Sequence, residues 1–213
     1  AVRRFPLRAS GIKARLKRAM TPDKLRRGAL LMVASSLLFA AMGAIIKTVS
    51  RELPNEMVVF FRSAFGLLAL APWLARNGVR GLATRHFPQH LVRGLAGLAA
   101  MYCFFYAIAH MRLAEATLLN YTTPLFVPLI SLVLLGESVP RRLWGILAIG
   151  FVGLLFILKP GLALFRPVAL IGLASGILAA FAMASIRKLT RTESTLRIVF
   201  YFTVISTAAS LST

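Results

Sequence analysis

Apolar positions dominate this chain in long blocks separated by short polar connections. Seven stretches approach the roughly 20 apolar residues that a bilayer-crossing helix needs. They run over Gly28–Ile46, Met57–Ala75, Leu91–Ala109, Ala116–Gly136, Leu143–Leu158, Val168–Ile186 and Ile198–Thr213. The fifth is short, and the seventh ends with the chain. None alternates with the period of two expected of a half-buried strand. The longest connection, Arg76–His90, carries Gly78, Gly81 and Pro88 as breakers and reads as an interfacial segment. The pattern predicts an all-α, polytopic membrane helix bundle with no sizeable soluble domain.

Composition strengthens this reading. Of 213 residues, 58% are hydrophobic and 15% charged, with a mean hydropathy of +0.78. Soluble domains are about 45–50% apolar and about 25% charged. A water-soluble enzyme, a disordered tail, a coiled coil and a disulfide scaffold are therefore excluded. The single cysteine, Cys103, excludes an intrachain disulfide and a multi-cysteine metal site.

Charge then orients the bundle. The net charge is +20, which in a soluble protein points to nucleic acid. Here the basic residues lie between apolar blocks, so no nucleic-acid partner is expected. Residues 1–27 form a basic tail with ten Lys or Arg and one acid, Asp23. They read as a cytoplasmic segment beside anionic headgroups; a transit peptide is the alternative. With the N-terminus inside, cytoplasmic segments hold 20 Lys or Arg, Arg93 among them, and outer segments five, Lys47 among them, with Arg62 inside a span. Such a bias sets topology.

The chain also repeats itself. A shift of 140 residues makes 12 of 45 aligned pairs identical, among them Ala29/Ala169, Ser35/Ser175, Arg51/Arg191, Val59/Val199 and Phe60/Phe200. Five spans separate the copies, so the second crosses in the opposite sense. Inverted repeats of this kind mark many secondary transporters, with substrate held near the midplane. The domains expected are the tail, 1–27, a five-span repeat over 28–161, and the start of a second over 168–213. Completing the second takes three more spans, roughly 60–80 residues at about 20 per span. The missing initial methionine points the same way, to a fragment or a processed chain.

The fourth and fifth spans read AEATLLNYTTPLFVPLISLVLLGE, a basic turn, then WGILAIGFVGLLFILKPG. The opening reads ALLMVASSLLFAAMGAIIKTVSRELP, followed by FFRSAFGLLAL. From Ala29 onward the chain resembles the EamA domain of the drug/metabolite transporter superfamily. That resemblance implies ten spans in two inverted five-helix repeats, and export or exchange of small metabolites, often with ion coupling. The chain departs from the pattern in lacking spans three to five of the second repeat.

Several residues are candidates for substrate binding or coupling. Arg62 lies about 10 Å into the second span at 1.5 Å per residue, a depth where arginine is costly and tends to be functional; snorkelling to the headgroups is the plainer alternative. Glu115 opens the fourth span as a partner for Arg62 or a proton-coupling carboxylate, against the alternative of an acid at a helix N-terminus. Thr117, Asn120, Tyr121, Pro124 and Pro128 fall near one face of that span, where each Pro frees a carbonyl and broken helices line cavities. Tyr102 and Tyr106, one turn apart, offer hydroxyls or stacking faces. Glu137 reads as a structural cap beside Arg141 and Arg142. Gly172 and Gly176 form a small-residue motif for close helix contact.

The expected function is secondary transport of small metabolites or drugs by alternating access. A lipid-linked sugar carrier of the same fold, and a non-transporting membrane partner or half-gene, are the alternatives. No enzyme activity, cofactor or metal is expected, because no His/Asp, Ser/His or metal-ligand constellation occurs. The bilayer, a small-molecule substrate and protons as coupling ion are the expected partners, with a homodimer as a candidate assembly. The expected location is the bacterial inner (plasma) membrane, multi-pass, with the N-terminus cytoplasmic.

Overall fold

A computed structural model of the chain describes residues 22–78, 82–136, 140–158 and 167–211. The described elements are helices: α1 (Pro22–Val49), α2 (Asn55–Asn77), α3 (Phe87–His110), α4 (Leu113–Asn120), α5 (Thr123–Leu135), α6 (Arg141–Leu158), α7 (Pro167–Leu189) and α8 (Thr195–Leu211). Five segments are long and apolar enough to cross a membrane: Leu25–Val49, Asn55–Arg76, Phe87–His110, Leu113–Leu135 and Pro167–Leu189. Two further apolar helices, Arg142–Leu154 and Thr195–Leu211, are shorter. The protein is an all-α, multi-pass membrane bundle.

Two compact units make up the chain, Ala1–Ala44 and Ile45–Thr213. The described part of the first is one apolar helix whose Leu30, Met32 and Leu38 are more than two-thirds exposed. In the second, Val133, Ile149 and Phe156 are each at least 75% exposed. In water such surface drives association; against acyl chains it is the solvated face.

Helix α7 is the hub of the second unit. It packs on α3, α5 and α4, while α8 packs on α2 and α3. Sequence explains the closeness. The buried face of α7 consists of Ala169, Gly172, Ser175, Gly176, Ala180, Ala182, Ala184 and Ser185, with Leu189 at its end. Small side chains let backbones approach, which is how helices associate where lipid removes the hydrophobic drive. Leu119, Leu154 and Ala169 form a buried cluster joining α4, α6 and α7. Phe126 and Phe151 meet edge to face, 5.4 Å apart, between α5 and α6.

The connection expected to be interfacial over Arg76–His90 is shorter than that. Helix α2 continues to Asn77, where Gly78 adopts φ 63° and donates its N–H to the Leu74 carbonyl, a left-handed closure that glycine makes without strain. Pro88 starts α3 rather than breaking it, since a first-turn proline loses no helical bond. Residues 79–81, and with them Gly81, lie outside the described residues. So does Glu137.

Helix directions follow from contacts. The Asn55 side-chain amide donates to the Tyr102 carbonyl, whereas Arg62 shares its ring partner, Phe202, with Arg93. Numbers rise on α2 as they fall on α3, so the two are antiparallel. His90 meets Tyr201, with ring centroids 4.5 Å apart, and Gly94 lies against Ile205. Numbers rise together on α3 and α8, so these are parallel, and α2 is antiparallel to α8. The connections preceding α2 and α8 also correspond. Ser50, Arg51, Glu52, Leu53 and Val58 donate backbone N–H groups to Ile46, Thr48, Val49, Val49 and Pro54. Thr190, Arg191, Thr192, Glu193 and Ile198 donate to Ile186, Lys188, Leu189, Leu189 and Ser194, each bond displaced by 140 residues.

Glu193 ties the second of these connections to the segment before α3. It accepts the Thr84 hydroxyl at 2.6 Å and pairs with Arg197. The Thr84 hydroxyl oxygen in turn accepts the His86 N–H at 3.0 Å. Burial opposes ionisation of Glu193, but the bonds from Thr84 and Arg197, together with the Arg197 charge, outweigh it and hold the carboxyl below the usual carboxylate range. A folded-state pKa below the unfolded one stabilises the fold above the unfolded value, about 4.3, and that stability is lost as pH falls through the folded value. Wild type is therefore expected to melt above Glu193→Gln at pH 7, with the gap narrowing below about pH 4.5. A gap independent of pH in thermal unfolding contradicts this.

Candidate functional site

The fourth span is two helices, not one. Its sequence dictates the break. Pro124 has no N–H for the Asn120 carbonyl four residues back, so the Thr123 hydroxyl takes that carbonyl at 2.6 Å instead. The Thr122 hydroxyl takes the Leu119 carbonyl at 2.7 Å. Helix α4 stops at Asn120 and α5 restarts at Thr123, with Pro124 in its first turn. Pro128 lies inside α5.

This junction is pressed onto α7. Asn120 donates its side-chain amide to the Ser175 hydroxyl at 3.2 Å, and the Thr123 hydroxyl also reaches the Gly176 carbonyl at 3.2 Å. A methyl on Gly176 would sit 2.5 Å from the Thr122 hydroxyl oxygen and 2.9 Å from the Leu119 carbonyl oxygen. Thus Asn120, Thr122, Thr123, Ser175 and Gly176 form a polar seam inside an apolar bundle. At the break the Leu119 and Asn120 carbonyls each accept a local hydroxyl, and a bound molecule could compete for these groups.

The break alters the face expected from sequence. Helical spacing from Thr117 through Pro128 places five residues together, but the register is lost at Tyr121. Tyr121 and Pro124 are exposed, whereas Thr122 and Thr123, adjacent in sequence, are buried against α7. Thr117 donates its hydroxyl to its own helix at Leu113. Of the expected seam, Asn120 alone makes a side-chain contact to α7 among the hydrogen bonds described.

The remaining candidates are dispersed. Glu115 lies in the first turn of α4 and pairs with Arg112 three residues before it, so the structure does not bring it to Arg62. Tyr106 stacks on His110 at 4.1 Å, and His110 Nδ1 contacts the Tyr106 carbonyl. Tyr102 contributes its carbonyl to Asn55.

Arg62 belongs to a second cluster that the sequence did not reveal. Its guanidinium lies 5.7 Å from the centre of the Phe202 ring, and that of Arg93 lies 4.1 Å from the same ring. Counted as a loop charge, Arg93 in fact sits two turns into α3. The signal was available: Arg93 and Gly97 are four apart, hence on one helix face, and Gly97 leaves the room that Arg93 Nη1 and the Phe202 edge occupy. On the flanking helices, Ser63 and Ser206 are fully buried, with no partner for their hydroxyls among the described residues. Between α3, α5 and α7 lies an open cleft of about 240 Å³, lined by Pro88, Gln89, Val92, Leu134, Phe181, Ser185 and Lys188.

Comparison with known proteins bears on what these clusters serve. Residues 26–159 match the EamA-like transporter family. The chain is 39% identical over 193 residues to the pseudopaline exporter CntI of Pseudomonas aeruginosa (strain UCBPP-PA14), covering 90% of this chain and 68% of that protein. It is 29% identical over 167 residues to the S-adenosylmethionine uptake transporter of Rickettsia prowazekii (strain Madrid E), covering 78% of this chain and 56% of the relative. It is 29% identical over 179 residues to the riboflavin transporter of Brucella anthropi, covering 83% of this chain and 63% of the relative. No solved structure matches the chain. A multi-pass helix bundle with a broken span, matched over most of its length by metabolite transporters, has one family reading: the chain belongs to the EamA-like transporter family.

Proposed function

We propose that the protein moves a small metabolite across the membrane by alternating access, with export as its direction. The observation that carries this reading is the polar junction of α4 and α5 against α7, a break in a spanning helix whose freed carbonyls lie among hydroxyls. Discontinuous spans of this kind hold substrates in secondary transporters.

Inverted repeats supply the alternation. The 140-residue correspondence in sequence, the matching backbone bonds before α2 and α8, and the antiparallel course of those two helices support a pseudo-two-fold relation. On this reading α1–α6 form the first repeat and α7–α8 begin the second, and the junction lies where the repeats meet. The basic bias of alternate connections favours a cytoplasmic N-terminus, in a bacterial inner membrane.

The 39% identity to a pseudopaline exporter makes pseudopaline the first compound to try, with S-adenosylmethionine and riboflavin beside it. Proteoliposomes loaded with each labelled compound, with and without a pH gradient, test the proposal. Protein-dependent release of at least one compound, faster than from empty liposomes, is the expected result. Release that the protein never accelerates contradicts it. Acceleration by the pH gradient would assign protons as the coupling ion.

A further inference from the structure

We propose that Arg62, Arg93 and Phe202 form a recognition site for the carboxylate of an apolar organic anion. This rests on the reading of the chain as a small-metabolite transporter and names the substrate class.

Two guanidiniums address one ring from two helices, and they lie near enough to repel each other. A ring quadrupole attracts a cation over its face, but a ring carries no charge to neutralise two. Among the described residues Arg93 Nε and Nη1 are buried without an acceptor. Glu115 pairs with Arg112, and Glu193 with Arg197 and Thr84, and no ion pair to Arg62 or Arg93 is found among the described residues. Buried charges are normally paired, because an unpaired one loses its hydration with nothing in return. Two neighbouring half-buried charges of the same sign, with no ion pair among the described residues, call for an anion from outside.

Chemistry narrows the anion. A guanidinium presents its donors in a planar fork that matches a carboxylate in two parallel bonds. The wall beside the fork is apolar: the Phe202 ring, whose edge meets Arg93 Nη1 in the room that Gly97 leaves. The hydroxyls of Ser63 on α2 and Ser206 on α8, with no partner among the described residues, are further donors on the helices that flank the pair. A carboxylate joined to an apolar or aromatic body fits this combination. A lipid phosphate shares the charge, so the test separates the two.

The probe is benzoate, with benzamide as its uncharged counterpart and inorganic phosphate as the competing anion. The full chain in detergent, at constant ionic strength, is followed by its thermal unfolding midpoint. Benzoate should raise the midpoint in a saturable manner, with benzamide and phosphate much weaker. Arg93→Gln and Arg62→Gln should each weaken the apparent benzoate affinity by at least about tenfold, the loss expected for one charge-assisted hydrogen bond. Arg93→Lys should retain part of it, and Arg51→Gln, an exposed basic residue on a connection, all of it. Equal shifts from benzoate and benzamide overturn the proposal, as does a benzoate shift unchanged in both Gln variants. A shift from phosphate alone overturns the carboxylate assignment. Binding is read without flux: a benzoate response in a protein that moves no compound would sink the transport reading and leave the site, whereas flux with no benzoate response would sink the site alone.

Discussion

Gly176→Ala is expected to lower the unfolding midpoint by about 5–10 °C and to abolish transport. An added Cβ would meet the Thr122 hydroxyl oxygen at 2.5 Å and the Leu119 carbonyl oxygen at 2.9 Å. The second neighbour is backbone, held in place by the Thr122 hydroxyl and by the end of α4. It cannot rotate aside, so α7 must retreat from the junction. Overpacking of this kind costs about 1–3 kcal/mol, which shifts a midpoint by several degrees in a domain of this size. Retreat also separates Asn120 from Ser175 and Thr123 from the Gly176 carbonyl, removing the proposed substrate seam. Gly172→Ala is the control. Its added Cβ would approach the Leu119 Cδ1 at 2.8 Å, the far end of a flexible side chain, so the change should be much smaller. Equal effects from the two substitutions in melting and flux measurements would contradict this account of the junction.

Lys47→Met is expected to destabilise the fold by about 2–4 kcal/mol, summed over charged hydrogen bonds near 1.5–3 kcal/mol each and discounted for their sharing one ammonium. Lys47 Nζ donates to the carbonyls of Ile108, Ala109 and Met111, at 2.7, 3.1 and 2.9 Å. These belong to the C-terminal end of α3, where the helix leaves carbonyls without partners and its dipole favours a cation. A methionine fills similar space and donates nothing, so the carbonyls lose their partner while packing is kept. Lys47→Arg should recover part of the loss. Denaturant unfolding of the three proteins checks the order, and a methionine variant as stable as wild type would contradict the capping role.

Much of this fold was legible in the sequence. The apolar blocks give the helices because a spanning helix satisfies its own backbone, which leaves length and hydropathy as the main signals. The small residues of α7 gave away the close-packed helix, and the 140-residue shift gave away paired connections. What stayed hidden depends on the third dimension. Helical spacing put Tyr121 and Pro124 with Asn120, but the proline at 124 breaks the register on which that spacing relies. Glu115 and Arg62 looked like complementary charges; Arg112, three residues from Glu115 on its own chain segment, takes the carboxylate first. Arg93 stands two residues into the apolar run that begins at Leu91 and was counted with the cytoplasmic charges at its edge; the helix in fact begins at Phe87 and sets it about two turns deep. Lys47 was read only as a topology marker, since nothing local shows that its ammonium lies against the end of another helix.

Alternating access requires the junction of α4 and α5 with α7 to open to each side of the membrane in turn. Its most direct test places one cysteine beside the seam, Thr117→Cys in a Cys103→Ser background, since the Thr117 hydroxyl bonds only its own helix and the seam is left intact. Membrane-impermeant maleimide is applied to right-side-out and to inside-out vesicles, with and without a compound that the protein transports. Labelling from both sides is expected, with the compound slowing one and hastening the other. Labelling from a single side, unchanged by that compound, would contradict it.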